Sequence, residues 1–152
     1  GIEADAAISI TEDGNKGWVK PLMANAMIPN LLGTCLFTNI TLAIKPSTWA
    51  NLHSKALGRE MGKDELLLAA ERVINLERMI NATFGFDGSS DTLPGRFLEE
   101  PGVDGPGVGQ VVDLKTALES FYERMGWDPE EGLPSVETLT RLGLDWMLYG
   151  CD

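Results

Sequence analysis

Apolar positions recur with a helical period along most of this chain. The clearest case is KDELLLAAERVINLERMINATFG, residues 63–85, where Leu66, Leu67, Ala70, Val73, Ile74, Met79 and Ile80 form one stripe. Asp64 is placed to cap this helix and Gly85 to stop it. A second amphipathic run follows Asp113, with Leu114, Leu118, Phe121, Tyr122 and Met125 on one face and Gly126 as its stop. From Asn15 to about Ile28, Trp18, Leu22, Met23, Ala26 and Met27 keep the same spacing. Pro21 requires a kink or a late start there, and Pro29 is expected to interrupt the helix.

Shorter elements are signalled by their ends. Pro46, Ser47 and Thr48 open a helix to about Leu57, with proline where its missing N–H costs nothing and Gly58 and Gly62 as the turn. Asp91 or Thr92 is placed to cap a short helix holding Leu93, Phe97 and Leu98, closed by Pro101. Ser135 is placed to cap VETLTRLG, with Glu137 in an acidic first turn. The stretch LLGTCLFTNITLAI, residues 31–44, is almost continuously apolar, so periodicity does not separate a buried helix from a strand; a helix is expected because no turn signals or partner strands flank it. No segment alternates with a two-residue period and no internal repeat is present, so the expected fold is all-α and multihelical. Its expected divisions are a flexible N-terminal segment over 1–14, a helical region over 15–100, a Gly/Pro loop over 101–111 and C-terminal helices over 112–152.

Composition narrows the class. The 152 residues are 43% apolar and 23% charged, ordinary for one globular domain, and no apolar run reaches the roughly 18 residues of a transmembrane helix. The N-terminal GIEADAAISI lacks the basic region of a signal peptide, which leads us to expect a cytoplasmic protein. Gly1 in place of an initiator methionine suggests a piece of a longer chain, although a tag remnant would look the same. A net charge of −11 disfavours nucleic acid as a partner and otherwise serves solubility.

Candidate chemistry is sparse. The loop PGVDGPGVG has no Lys-Ser/Thr to make a phosphate cradle, and Pro106 breaks the strand–loop–helix context such a cradle needs. His53 is the only histidine, and a Cys35–His53 dyad lacks any local protease signature. Glu71, Asn75 and Arg78 share one helical stripe and Glu77 and Asn81 an adjacent one, suited to lining a cavity or, more simply, to fixing neighbouring backbone. No Glu-x-x-His or His-Glu-x-x-His spacing exists for a di-iron or zinc site. Cys35 and Cys151 are the only cysteines, too few for a disulfide framework or a self-contained iron–sulfur cluster. Composition alone reads Cys35 as an inert buried thiol. As a cluster ligand it needs partners from outside this sequence.

Three stretches carry a resemblance in a fixed order. AERVINLERMINATFGFDGSSDTLPGRFLEEP, residues 70–101, resembles an "NLER.FN...GF" helix followed by "DTLP.R.LEEP". FYERMGWDPEEGLPSVETLTRLGL, residues 121–144, is similar to a terminal "YY..RGWD..G.PT...L..LGL". Asn30-Leu31-Leu32-Gly33-Thr34-Cys35 aligns with a D-x-x-G-L-C motif. Together, over about residues 16–144, they resemble the C-terminal helical region of the tungsten-dependent aldehyde ferredoxin oxidoreductases.

The resemblance implies that Cys35 is the fourth ligand of a [4Fe-4S] cluster whose other cysteines lie in an upstream C-x-x-C-x-x-x-C run. It also implies that Asn30, Gly33 and Thr34 help bind a tungsten (or molybdenum) bis-pterin. Family members oxidise aldehydes to carboxylic acids and pass electrons through the cluster to ferredoxin. Gly33 would permit close backbone approach to the cofactor, and an apolar setting would limit water at the thiolate. Asn30 stands where the family has Asp, and Thr34 where it has Leu. The implied whole is a longer parent chain, able to form a homo-oligomer, of which this fragment alone would be catalytically silent and hold no cofactor. The related benzoyl-coenzyme A reductase catalytic subunit, or a helical structural or interaction domain that has lost cofactor binding, are the alternatives.

Overall fold

A computed structural model describes residues 19–41 and 44–149. The expected flexible segment 1–14, the start of the first helix at Asn15 and Cys151 lie outside the described residues. Seven α-helices follow one another among the described residues: α1 Val19–Leu32, α2 Leu36–Thr41, α3 Pro46–Leu57, α4 Lys63–Thr83, α5 Gly95–Glu99, α6 Leu114–Met125 and α7 Val136–Leu142. Single 3-10 turns occupy Gly88–Ser90, Gly105–Gly107 and Asp145–Tyr149. The only β-pairing among the described residues consists of isolated bridges at Gly102–Val108 and Trp127–Pro134. The all-α, multihelical expectation therefore holds.

Helix α4 is the central element, contacting α1, α3 and α7, while α1 also meets α2, α3 and α6. Three apolar clusters lie along it. Ala24 of α1, Ala70 and Ile74 of α4, and Tyr122, Met125 and Trp127 at the end of α6 form the first. Ile28, Trp49, Ala50 and Leu66 form the second between α1, α3 and α4. Leu139, Leu142 and Leu144 form the third, against Leu76 and Met79. Each leucine buried this completely contributes about 1.5–3 kcal/mol relative to exposure. Of the expected α4 stripe, Ile80 instead lies exposed near the helix end.

Several ends differ from expectation. Gly62, rather than Asp64, occupies the N-cap of α4, and Asp64 and Glu65 in the first turn face its positive pole instead. Pro94 precedes α5, and Asp91 spends its carboxylate on Arg78 and Tyr122, so neither Asp91 nor Thr92 caps that helix. Asp113 and Ser135 do cap α6 and α7, accepting from Thr116 N and Thr138 N.

The largest corrections fall on residues 29–41. Pro29 does not interrupt α1, which continues through it to Leu32 with the proline ring buried. The apolar stretch after it is not one helix. Gly33, at φ +66°, ends α1: Gly33 N–H donates to Asn30 O at 3.3 Å and Thr34 N–H to Pro29 O at 2.8 Å, the paired bonds of a Schellman motif. The chain restarts as α2 after Cys35.

The same motif closes α6 at Gly126, where Trp127 N–H donates to Tyr122 O at 2.8 Å, and α7 at Gly143. The two glycines differ in surroundings. A β-carbon at Gly126 would collide with Thr138 Oγ1, which donates to Gly126 O at 2.8 Å, whereas one at Gly143 would meet nothing within 4 Å. Gly143→Ala should cost about 1–2 kcal/mol from left-handed strain alone, and Gly126→Ala roughly 2–5 kcal/mol because overpacking adds to it. Urea denaturation of the two variants checks this, and equal losses would contradict the geometry.

Candidate functional site

The four residues expected at the site fall within one turn, between the end of α1 and the start of α2. Two of them have their hydrogen-bonding groups committed to that turn. Gly33 supplies its left-handed backbone, and Thr34 donates its N–H to Pro29 O and brings its hydroxyl to the same carbonyl at 3.4 Å. The other two face outward. Asn30 is exposed, its Nδ2 meeting only the sulfur of Met27, at 3.9 Å, among the described residues. Cys35 is exposed with a free thiol.

The expected apolar burial of Cys35 is therefore corrected. Gly33 turns the chain away from the core, and the apolar residues beside the cysteine point out with it. Leu36 is exposed and Phe37 is 70% exposed. The cysteine backbone is nevertheless fixed, because Thr38 N–H and Thr38 Oγ1 both donate to Cys35 O, at 3.0 and 2.6 Å.

His53 does not complete a dyad. It lines a cleft of about 380 Å3 with Leu31, Leu32, Thr34, Trp49, Leu52 and neighbouring residues of α3, and no hydrogen bond joins it to Cys35 among the described residues. Its Nδ1 is buried without a partner, as is Asn25 Oδ1.

The polar stripe on α4 is a structural lock. Asn75, fully buried, accepts from Trp127 Nε1 at 2.8 Å and donates to Glu71 O at 2.8 Å. Arg78 donates through Nε to Gly132 O at 2.8 Å, pairs with the Asp91 carboxylate and lies 5.0 Å over the Trp127 ring. Glu71 meets Lys20 of α1 and Arg141 of α7, each at 2.7 Å. Burial alone would raise the Glu71 carboxyl, but the hydrogen bonds from Arg141 and Lys20 outweigh it and hold the group below the ordinary carboxylate range.

The fit of these residues to a metal centre is specific. Among the described residues no three His, Cys, Asp or Glu side chains come together to hold an ion. Cys35 thus offers one outward thiol, suited to a cluster whose other ligands come from elsewhere and unable to hold one alone. The described residues thus place an outward cysteine at a helix junction, beside a glycine turn and the exposed Leu36 and Phe37.

Comparison with known proteins identifies the class. The family profile described as aldehyde ferredoxin oxidoreductase, domains 2 and 3, matches residues 3–144, and the chain belongs to this family. The tungsten-containing aldehyde ferredoxin oxidoreductase of Pyrococcus horikoshii is 40% identical over 114 residues, covering 74% of this chain and 18% of that protein. The Pyrococcus furiosus protein of the same name is 39% identical over 113 residues, with the same coverage. The chain therefore spans about a fifth of the length of these curated relatives. Among solved structures, the active site complex BamBC of benzoyl coenzyme A reductase, in complex with 1,5-dienoyl-CoA, is similar with a TM-score of 0.54 and 25% identity. The match covers 67% of this chain and 14% of that one. No described helix is long and apolar enough to cross a membrane.

The lock also has a pH signature. Tyr122 Oη donates to Asp91 Oδ2 at 2.6 Å, and burial, then that bond and the Asp91 charge, push the phenol up to about 12. An unfolded tyrosine ionises near 10, so the folded state gains from the retained proton below that pH and loses the gain as pH rises through about 12. Tyr122→Phe should lower stability at neutral pH by about 1–3 kcal/mol and remove part of the alkaline loss between pH 10 and 12. Urea unfolding at stepped pH measures both, and an unchanged alkaline slope would count against the assignment.

Proposed function

We propose that this chain is the part of a tungsten- or molybdenum-pterin aldehyde oxidoreductase that supplies Cys35 as one ligand of a [4Fe-4S] cluster. In this reading Asn30, Gly33 and Thr34 contribute to the pterin pocket, and the enzyme oxidises aldehydes to carboxylic acids with ferredoxin as electron acceptor. The observation that carries it is the outward, fixed Cys35 immediately after a glycine turn, in a chain of this family. When bound, the pterin metal supplies the two-electron oxidation and the cluster carries the electrons onward.

The chain's own residues then have separable roles. Cys35 holds iron through its thiolate. Gly33 would let a cofactor approach the backbone, since nothing among the described residues beyond its chain neighbours lies within 4 Å of the space a β-carbon would enter there. Asn30 offers an amide that accepts through Oδ1 and donates through Nδ2, where the family motif has a charged acceptor. Thr34, its hydroxyl near Pro29 O, contributes backbone rather than side chain. None of them is a catalytic residue. The remainder of a cytoplasmic parent chain supplies the other cluster ligands and the reacting site.

The likeness to BamBC supports a second reading, a benzoyl-CoA reductase-type subunit. The 39–40% identity to the aldehyde enzymes, against 25% to BamBC, favours the first.

The parent gene should encode a C-x-x-C-x-x-x-C run upstream, and its absence would overturn the cluster assignment. In the full-length enzyme purified anaerobically, Cys35→Ser should abolish the native cluster signal. Aldehyde-dependent electron transfer should fall by at least about 100-fold, because changes to groups around a ligand alone cost about 10–100-fold. The isolated 152-residue chain, offered iron and sulfide, should take up no stoichiometric cluster. A native cluster surviving in Cys35→Ser would refute the reading.

A further inference from the structure

Pro29 has no N–H, so within α1 the carbonyl of Asn25, four residues earlier, lacks its helical donor. A buried carbonyl left in that state costs about 1–3 kcal/mol. Asn39 of α2 supplies the missing bond, its Nδ2 donating to Asn25 O at 3.0 Å. The other end of the same amide is also used, Oδ1 accepting from Trp49 Nε1 of α3 at 2.9 Å. Asn39 and Trp49 are 8% and 7% exposed. The amide orientation follows from its partners, because an indole can only donate and a carbonyl can only accept. One buried side chain thus joins three helices.

Its place in the chain gives this junction a consequence. Helix α2 has six residues, too few to hold its shape without tertiary contacts. Cys35 stands immediately before it, and Asn39 lies one turn further on. The cysteine is therefore held from two sides, by the Gly33 turn and by α2, whose position Asn39 sets. Thr38, next to Asn39, transmits that position directly through its two bonds to Cys35 O.

We infer that Asn39, oriented by Trp49 and docked on the carbonyl that Pro29 leaves open, is a positioning residue for the Cys35 thiolate at the cluster. This rests on the reading of Cys35 as a cluster ligand. The chain contains its own control. Trp127 and Asn75 make the same indole-to-amide bond, with the asparagine likewise donating to a backbone carbonyl, but between α4 and the segment after α6 rather than beside Cys35.

The test uses the full-length holoenzyme carrying Asn39→Ala, Trp49→Phe or Trp127→Phe. It reads the EPR line shape and midpoint potential of the reduced cluster, the rate of iron loss to a chelator, and the thermal midpoint. All three variants should lower the thermal midpoint. Only Asn39→Ala and Trp49→Phe should alter the EPR line shape and potential and speed iron loss, by about 10-fold. Should Asn39→Ala fail to fold, Trp49→Phe carries the test, since it keeps an aromatic ring and the Asn39–Asn25 bond. A wild-type cluster signal, potential and chelation rate in Trp49→Phe would overturn the inference. So would equal changes in Trp127→Phe, which would reduce the junction to general stability. A wild-type holoenzyme without a cluster, or a native cluster in Cys35→Ser, would instead refute the ligand reading and this inference with it.

Discussion

The hydrogen bond from Trp127 to Asn75 is the constraint on which the two halves of this structure depend. Asn75 sits in the middle of α4 with no exposed surface, where an unpaired amide would cost about 1–3 kcal/mol. Trp127 reaches it because Gly126 reverses the chain at the end of α6 and turns the indole inward. Once there, the ring is enclosed, with Tyr122 stacked at 6.0 Å, Phe121 edge-on at 5.4 Å and Arg78 over it at 5.0 Å. The C-terminal segment is thereby fixed to α4. Helix α4 also packs against α1, while the outward turn at residues 30–35, past the end of α1, is held by its own junction through Asn39 and Trp49.

Polar residues on α4 act where apolar ones could not. The loops that must be held expose carbonyls, and only long donors reach them: Arg78 to Gly132 O, and Arg72 to Leu142 O at 2.7 Å. Glu71 works in the opposite sense, collecting Lys20 and Arg141 so that α1 and α7 meet one carboxylate on the shared helix. Lys20 also donates to Arg124 O at 3.1 Å and ties α6 to the same point. The carboxyl held below its ordinary range gives stability that is present above the unfolded value of 4.5 and fades as pH falls through the lower folded one.

Much of this was legible in the sequence because the determinants are local. The period of α4, the caps Asp113 and Ser135 and the proline that opens α3 are each readable within a few residues. The misread positions are those where a distant partner decides. Pro29 reads as a helix stop because a proline removes a bond, and the bond is restored by Asn39, fourteen residues beyond the Asn25 carbonyl it reaches. Asp91 reads as a cap because nothing nearby shows that Arg78 and Tyr122 will claim it. The burial expected of Cys35 failed for a different reason. An apolar run reads as core, yet Gly33 within it is a helix terminator that turns Leu36 and Phe37 outward. The six-residue stretch 30–35 stands out as a unit only through its resemblance. Its support from Asn39 and Trp49 left no signal within the motif.

The motif itself divides into residues that make the turn and residues that face away from it, and this bears on Asn30. Gly33 and Thr34 spend their hydrogen-bonding groups on Pro29 and Asn30 carbonyls, so the turn is complete without any side chain at position 30. The Asn30 amide has only a long contact to Met27 sulfur among the described residues. Exchanging a carboxylate for an amide there therefore leaves the Schellman turn and the placement of Cys35 untouched. On the proposed reading, its effect is confined to the ligand side. A charge-assisted bond, roughly twice as strong as a neutral one, becomes a neutral bond with both a donor and an acceptor available. On that reading the departure at Asn30 would weaken one contact to the cofactor, while the turn that carries Cys35 stays intact.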